Sequence, residues 1–195
     1  MSNNILIKDN FYHDVDELRR LAFSGNYNFH RTKVGSRVAW RGFRTWELSY
    51  MQNPHIEECS QKIMEVASEF FNLTDHSIHK FFHISYAQHK INQIRPWHKD
   101  ETTHAGILYL NPNPPSNGGT TVFVDKKRID VDNKYNRLVA YRGDYKHGIT
   151  NFFGDTQESG RMTFTFFIDI KKRFDRDYKL LEEFRKNQSI EYYKF

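Results

Sequence analysis

The chain has 195 residues, 38% of them hydrophobic and 27% charged, with a formal net charge of +5. That length makes one domain with a sizeable core the default, and no run approaches the roughly 20 apolar residues that a membrane-spanning helix requires. Residues 1–8 have neither a basic leader nor a long apolar stretch, so no signal peptide is expected, and the single cysteine, Cys59, suits a reducing, cytoplasmic setting.

Taken in chain order, residues 13–23 read as a helix: Asp14 and Glu17 make a capping box, and Val15, Leu18, Leu21 and Ala22 share a face. The window 31–46 follows, with Arg31, Lys33, Arg37, Arg41 and Arg44, no acid, and the aromatics Trp40, Phe43 and Trp46. Two readings stay open for Arg31–Trp46: a solvated loop whose stems cover apolar surface, which is favoured, or a surface that holds a nucleic-acid strand. A longer helix is expected from Pro54 to Asn72, where Ile56, Cys59, Ile63, Val66 and Phe70 recur at three- and four-residue intervals.

After Thr74 the pattern changes to short strands rich in the chain's 17 Phe and 11 Tyr, residues that fit pleated surfaces. Expected strands run over Phe81–Ala87, Lys90–Ile94, Ala105–Leu110, Thr120–Val124, Leu138–Arg142 and Met162–Ile170, separated by Asn-Pro, Asn-Gly-Gly and Arg-Gly-Asp turns. A last helix is expected over 175–186. Strands at this spacing after a helical pair argue for a mainly β sandwich or barrel with helices outside. The chain is read as a single domain with a helical part at 1–75, a β core at 76–170 and a C-terminal helix at 171–195.

Four residues carry the chemistry. His98 and Asp100 form a His-x-Asp pair, His147 follows 47 residues after Asp100, and Arg161 lies on an alternating apolar stretch. Two imidazoles and a carboxylate are the ligand set that leaves open positions on non-haem Fe(II) for a co-substrate and O2. A guanidinium clamps a carboxylate through two parallel hydrogen bonds. The pair alone is weak evidence, since the chain's ten histidines make about 0.7 such pairs expected by chance. The rival His55-Ile56-Glu57 opens a predicted helix, where i and i+2 diverge, whereas an extended segment, favoured at Arg95 by Pro96 and flanked by apolar strands, sends His98 and Asp100 to one face. His104 competes with His147 as third ligand, and His83 falls on a strand face.

Tyr86, then Trp97-His98-Lys99-Asp100, Ala105–Asn111 with its Tyr109-Leu110-Asn111, Asn117-Gly118-Gly119 through Phe123, His147-Gly148-Ile149 and Ser159–Thr165 occur in that order. The stretch Tyr86–Ile170 resembles the 2-oxoglutarate and Fe(II)-dependent dioxygenases, in particular the prolyl-hydroxylase-like branch. The resemblance covers a little under half the chain and departs from the branch in one place. His147 and Arg161 are 14 residues apart, longer than is usual there, with the excess in the turn-rich segment 151–158.

The resemblance implies a double-stranded β-helix (jelly roll) with iron at its mouth, and an N-terminal part that shapes the substrate site. His98, Asp100 and His147 would be catalytic metal ligands. Arg161 and Tyr109 would bind the distal carboxylate of 2-oxoglutarate, with Thr163, Thr165 and Tyr86 facing the co-substrate. It implies an oxygenase that turns 2-oxoglutarate and O2 into succinate while hydroxylating a substrate, with ascorbate compatible as a reductant. Asp100, where a halogenase has a small residue, implies hydroxylation. A protein or peptide side chain is the expected substrate and a nucleic-acid base the alternative. A jelly-roll binding module without catalysis is a third reading.

Overall fold

The computed structural model describes residues 4–25, 27–29, 42–45, 47–90 and 97–171. The expected helix over 175–186, residues 91–94 and most of the basic window at 31–46 lie outside the described residues. Helix α1 spans Val15–Ser24 and buries Val15, Leu18, Leu21 and Ala22, the stripe set by its spacing. The expected capping box does not form. Asp14 makes no cap hydrogen bond and sits 3.2 Å from His55 Nδ1, and Glu17 pairs with Arg20 at 2.6 Å. A tertiary partner and an i+3 guanidinium have outcompeted the local cap. Helix α2, Pro54–Phe71, starts where Asn53 accepts from the backbone N–H groups of His55 and Ile56, and stops at Asn72 in the left-handed region. Its buried stripe is Ile56, Cys59, Ser60, Ile63 and Ala67, with Val66 and Phe70 partly buried against the same core.

Ten antiparallel strands are seen among the described residues: β1 Ile5–Lys8, β2 Tyr27–Phe29, β3 Phe43–Thr45, β4 His76–Ser85, β5 His104–Tyr109, β6 Thr120–Val124, β7 Lys127–Val131, β8 Leu138–Arg142, β9 Lys146–Ile149 and β10 Arg161–Ile170. They form a seven-stranded sheet, β1-β8-β5-β10-β4-β3-β2, and a three-stranded sheet, β7-β6-β9. Strand β4 begins five residues before the expected Phe81, because its polar first half pairs with β10 over ten residues, from Ile170↔His76 to Arg161↔Ser85. Lys90, expected to open a strand, ends a short 3-10 turn over Ala87–Lys90. Strands β1, β2, β3, β7 and β9 are short or polar and lack the alternation that marks a half-buried strand.

Alternation gives the large sheet two different faces. Leu108, Leu110, Leu138, Ala140, Met162, Phe164, Phe166 and Ile168 pack with α1 and α2 in one core. Ala105, Ile107, Tyr109, Val139 and Tyr141 face Val122, Val124 and Val131 of the small sheet in a second core. Helices, large sheet and small sheet thus form three layers, and the second core is the barrel interior. Phe164 and Phe166 are fully buried on the helix side, so β10 is anchored there while its opposite face is left for polar residues.

His104 lies on the helix side of β5, where its ring stacks 4.4 Å from Phe71 and its Nδ1 is buried without a hydrogen-bond partner. Burial, reinforced by His76 and Arg142, lowers its pKa to about 4. The unfolded chain, with His104 near 6.5, therefore binds more protons between these values, and stability rises with pH across that window. We expect wild type to lose stability as pH falls from about 6.5 to about 4, and His104→Leu to lose measurably less, as read from urea midpoints at pH 7 and pH 4.5. Equal losses in the two proteins would show that His104 is not the responsible group.

Candidate active site

Residue His98 forms an isolated antiparallel bridge with His147 of β9, through hydrogen bonds from His98 N to His147 O (3.0 Å) and from His147 N to His98 O (2.9 Å). Two residues on, Asp100 N donates to Gly143 O at 2.8 Å, and Gly143 N donates to Thr103 O at 3.0 Å. This approach needs a glycine, since a Cβ at position 143 would sit 2.0 Å from Thr102 O. The turn after β8 and the strand β9 together grip the extended 98–103 segment from one side.

The result is a cluster in which one donor atom from each of His98, Asp100 and His147 lies within 4.8 Å of the others. His98 Nε2 is 3.6 Å from Asp100 Oδ1, and His147 Nε2 is 3.2 Å from Asp100 Oδ2. His147 Nδ1 is 2.9 Å from the carbonyl of Tyr145. A carbonyl only accepts, so Nδ1 carries a proton and Nε2 is the nitrogen that the neutral tautomer has for a metal. Asp100 Oδ2 is buried and has no hydrogen-bond partner. A buried carboxylate oxygen beside the imidazole nitrogen left over by the Tyr145 bond is an arrangement that a bound cation satisfies. Burial and the neighbouring His147 hold His98 down to about 4, so the His98 ring is neutral at pH 7. The donor set fits a divalent metal with two imidazoles, one carboxylate and open positions, and His147 already has the second hydrogen bond that orients a ligand ring.

A second polar group lies deeper on the same interior. Arg161, at the start of β10, is buried; its Nε donates to Gly118 O and its Nη2 to Thr120 Oγ1, both at 3.1 Å. Tyr109 donates its hydroxyl to the same Thr120 oxygen at 2.8 Å, and the guanidinium carbon is 5.4 Å from the Tyr109 ring. Burial pushes the Arg161 pKa down, and no carboxylate pairs with it among the described residues. Ser85, opposite Arg161 in the β4–β10 register and so on its face, has a buried hydroxyl without a partner. Thr120 and Val122 share one face of β6, roughly 7 Å apart at about 3.4 Å per residue. Thr120 holds Arg161, and Val122 pairs with His147.

His98, Asp100 and His147 are therefore brought together, and Arg161 lies on the same interior side of the large sheet. Thr163 and Thr165 follow Arg161 on the inner face, their hydroxyls 2.9 Å apart, so Thr120 rather than either of them bonds the guanidinium. Tyr86 lies just past β4, packed on the first core, where a Cβ on Gly160 would touch its ring at 2.6 Å. Among the rivals, His104 points to the helix layer. His55 and Glu57 diverge on α2, towards Asp14 and Lys80 respectively. Reasoning from sequence passed over Thr120 and Tyr141, although Thr120 directly follows the Asn-Gly-Gly turn. Tyr141 is buried with its ring 4.7 Å from His147, and the charges of Asp100 and Arg161 both act on it. Its inward place follows only from the parity of β8. Arg44, read as part of an exposed basic window, is buried.

No family model and no curated protein matches this sequence. Solved structures do. The fold is similar to a Pseudomonas putida prolyl-4-hydroxylase, with a TM-score of 0.61 and 17% identity over 85% of this chain and 92% of that one. It is similar to a prolyl hydroxylase from Trichoplax adhaerens, in complex with a hypoxia inducible factor oxygen degradation domain peptide fragment, with a TM-score of 0.57 and 14% identity over 88% and 86% of the chains. HygX from Streptomyces hygroscopicus, with nickel and 2-oxoglutarate bound, gives a TM-score of 0.60 and 8% identity over 86% and 83%. The chain has the double-stranded β-helix fold of the prolyl hydroxylases and other 2-oxoglutarate-dependent oxygenases.

Proposed function

We propose that this protein is an Fe(II)- and 2-oxoglutarate-dependent oxygenase that hydroxylates a protein or peptide side chain. The observation that carries the reading is the convergence of His98, Asp100 and His147 within 4.8 Å, facing into the same interior as the buried, acid-free Arg161. The chemistry supplied by ferrous iron, 2-oxoglutarate and O2 would be oxidative decarboxylation to succinate and CO2, coupled to insertion of one oxygen atom into a substrate C–H bond.

The chain's own residues hold and orient. Backbone bonds at His98, Asp100 and His147 fix three donors that are contributed by two distant segments. Tyr145 O sets the His147 tautomer. Arg161, with the hydroxyls of Thr120 and Tyr109, receives the distal carboxylate, and Ser85 adds a donor on the same face. Burying that guanidinium without an acid is costly, and the arriving carboxylate offsets the cost. Tyr141, Val122, Val124 and Val139 keep the chamber apolar and exclude water. A peptide substrate draws support from the peptide complex of the Trichoplax enzyme. Arg44, the described cation of the basic window, lies inside the barrel and offers no exposed strand-binding surface. The whole chain is read as one domain, and a reducing compartment, the cytoplasm, suits ferrous iron and the free Cys59. Among the described residues no helix is long and apolar enough to cross a membrane.

Anaerobic addition of Fe(II) and then 2-oxoglutarate should produce the visible charge-transfer band of a keto acid chelated to ferrous iron. His147→Ala and Asp100→Ala should abolish it, and a band that persists in either variant would overturn the ligand assignment. Arg161→Met should raise the Kd for 2-oxoglutarate roughly 10- to 100-fold, the scale of a lost charged hydrogen-bond pair of about 1.5–3 kcal/mol. Fe(II) affinity should be unchanged in that variant, and a Kd within twofold of wild type would move the carboxylate site elsewhere.

A further inference from the structure

The 14-residue separation of His147 and Arg161 leaves an extra segment, 151–158, between β9 and β10 that neither the metal ligands nor the carboxylate contacts account for. Its own polar groups close it into a compact loop. Ser159 Oγ accepts from the backbone N–H groups of Asp155 and Thr156, both at 3.1 Å, and Gly160 N donates to Thr156 O at 2.8 Å. Gly154, at φ +70, makes the turn, and a Cβ there would lie 2.1 Å from Ser159 O. Three bonds then tie the loop to separate parts of the molecule. Thr150 N donates to Gly119 O at 3.1 Å, Ala87 N, just past β4, donates to Gly154 O at 2.8 Å, and Gln157 Nε2 donates to Phe23 O of α1 at 3.1 Å.

Phe153 is where this loop meets Arg161. A Cβ on Gly118 would lie 2.3 Å from Cε1 and 2.6 Å from Cδ1 of the Phe153 ring, so the ring packs directly on the main chain of that glycine. The Gly118 carbonyl is the one that accepts from Arg161 Nε at 3.1 Å. The two glycines after Asn117 therefore answer two different demands. Gly118 admits the ring, and Gly119 admits the neighbouring chain, since a Cβ at 119 would lie 1.9 Å from Val131 O. The loop also fixes where β10 begins. The Cβ that Gly160 lacks would fall 2.6 Å from the Tyr86 ring and 2.9 Å from Thr156 O, and the Gly160 carbonyl accepts from Asn111 Nδ2 at 2.8 Å. One segment thus sets both the main chain that carries the guanidinium and the carbonyl that receives its Nε–H.

We propose that Phe153 is a positioning residue for the co-substrate: its ring holds the Gly118 carbonyl, and that carbonyl orients the Arg161 guanidinium towards the distal carboxylate. The inference rests on the oxygenase reading for the ligand of Arg161. A guanidinium is planar, so a bond at Nε fixes the plane in which its remaining donors lie. Glycine has the least restricted backbone of any residue, and a carbonyl carried on it keeps its direction only where something packs against it. Without the ring, the Nε bond loosens and Arg161 loses its orientation. The metal ligands are untouched, because His98, Asp100 and His147 are held by main-chain bonds of their own.

The probes are 2-oxoglutarate and 2-oxopentanoate, which keeps the five-carbon chain and the keto-acid end but lacks the distal carboxylate. Both are titrated by calorimetry into the Fe(II)-loaded protein without oxygen, and the charge-transfer band is recorded in the same samples. Wild type should bind 2-oxoglutarate about tenfold more tightly or better, and Arg161→Met should bring the two within about twofold. Phe153→Ala should lower this ratio about threefold or more by weakening 2-oxoglutarate alone, with the Kd values for 2-oxopentanoate and Fe(II) within about twofold of wild type. Phe153→Tyr, which keeps the ring, should keep the wild-type ratio. A general loosening of the fold would weaken both keto acids alike, and that result in Phe153→Ala overturns the proposal, as does an unchanged ratio. If this variant does not fold, Phe153→Leu carries the test, since it supplies apolar bulk without a ring face, and an unchanged ratio in it overturns the assignment. Discrimination that depends on Arg161 but not on Phe153 removes this inference and leaves the oxygenase reading. Discrimination that follows both residues without the band removes the iron chelate and keeps the positioning role. A wild type that does not distinguish the two keto acids removes the Arg161 carboxylate site and this inference with it.

Discussion

Two backbone hydrogen bonds join His98 to His147, and the candidate site is organised around them. They bring together segments with the whole β5–β8 region between them in sequence. They also bring the two imidazoles within 4.4 Å of each other beside Asp100, whose own N–H is held by Gly143. Because these are main-chain bonds, the backbone that carries the donors is fixed without a ligand. Tyr145 O extends the same logic one step outward by fixing which nitrogen of His147 points inward.

The rest of the molecule supports a polar interior that the chain would otherwise avoid. Taking a guanidinium out of water opposes folding, and this barrel contains Arg161 and Arg44 within one sheet face. What makes that tolerable is the other face of the same strands. Phe164, Phe166, Leu108 and Leu138 pack on α1 and α2 in an apolar core that needs no polar compensation. The large sheet is thus a partition, with the larger apolar core on its helix side and the candidate site on its inner side. Local groups soften the cost: Thr120 serves both Arg161 and Tyr109, and phenyl rings flank Arg44.

How much of this is legible in the sequence depends on the range of the force involved. The stripes of α1 and α2, the Asn-Pro and Asn-Gly-Gly turns and the bounds of β6 and β8 are local in origin, and periodicity finds them. The Asp14 capping box fails because a residue from another helix competes for the same carboxylate. Strands β1, β3, β7 and β9 escape a reading by pattern because their stability comes from neighbours rather than from their own alternation. The late start expected for β4 has the same cause, since β10 recruits its polar first half.

For the site, the family resemblance carried by the ordered motifs from Tyr86 to Ile170 singles out His98, Asp100, His147 and Arg161, whereas the His-x-Asp pair alone would not. Parity along β10 also puts Arg161, Thr163 and Thr165 on one face from the sequence alone. Register decides everything else: that Thr120 holds Arg161, that His104 turns away to Phe71, that Tyr141 lies beside His147, and that Arg44 is inside rather than on a charged surface. The chemical identity of a side chain is a property of the sequence. Its neighbours across a sheet depend on non-local pairing, where a shift of one residue exchanges the two faces, and only the tertiary structure specifies that pairing.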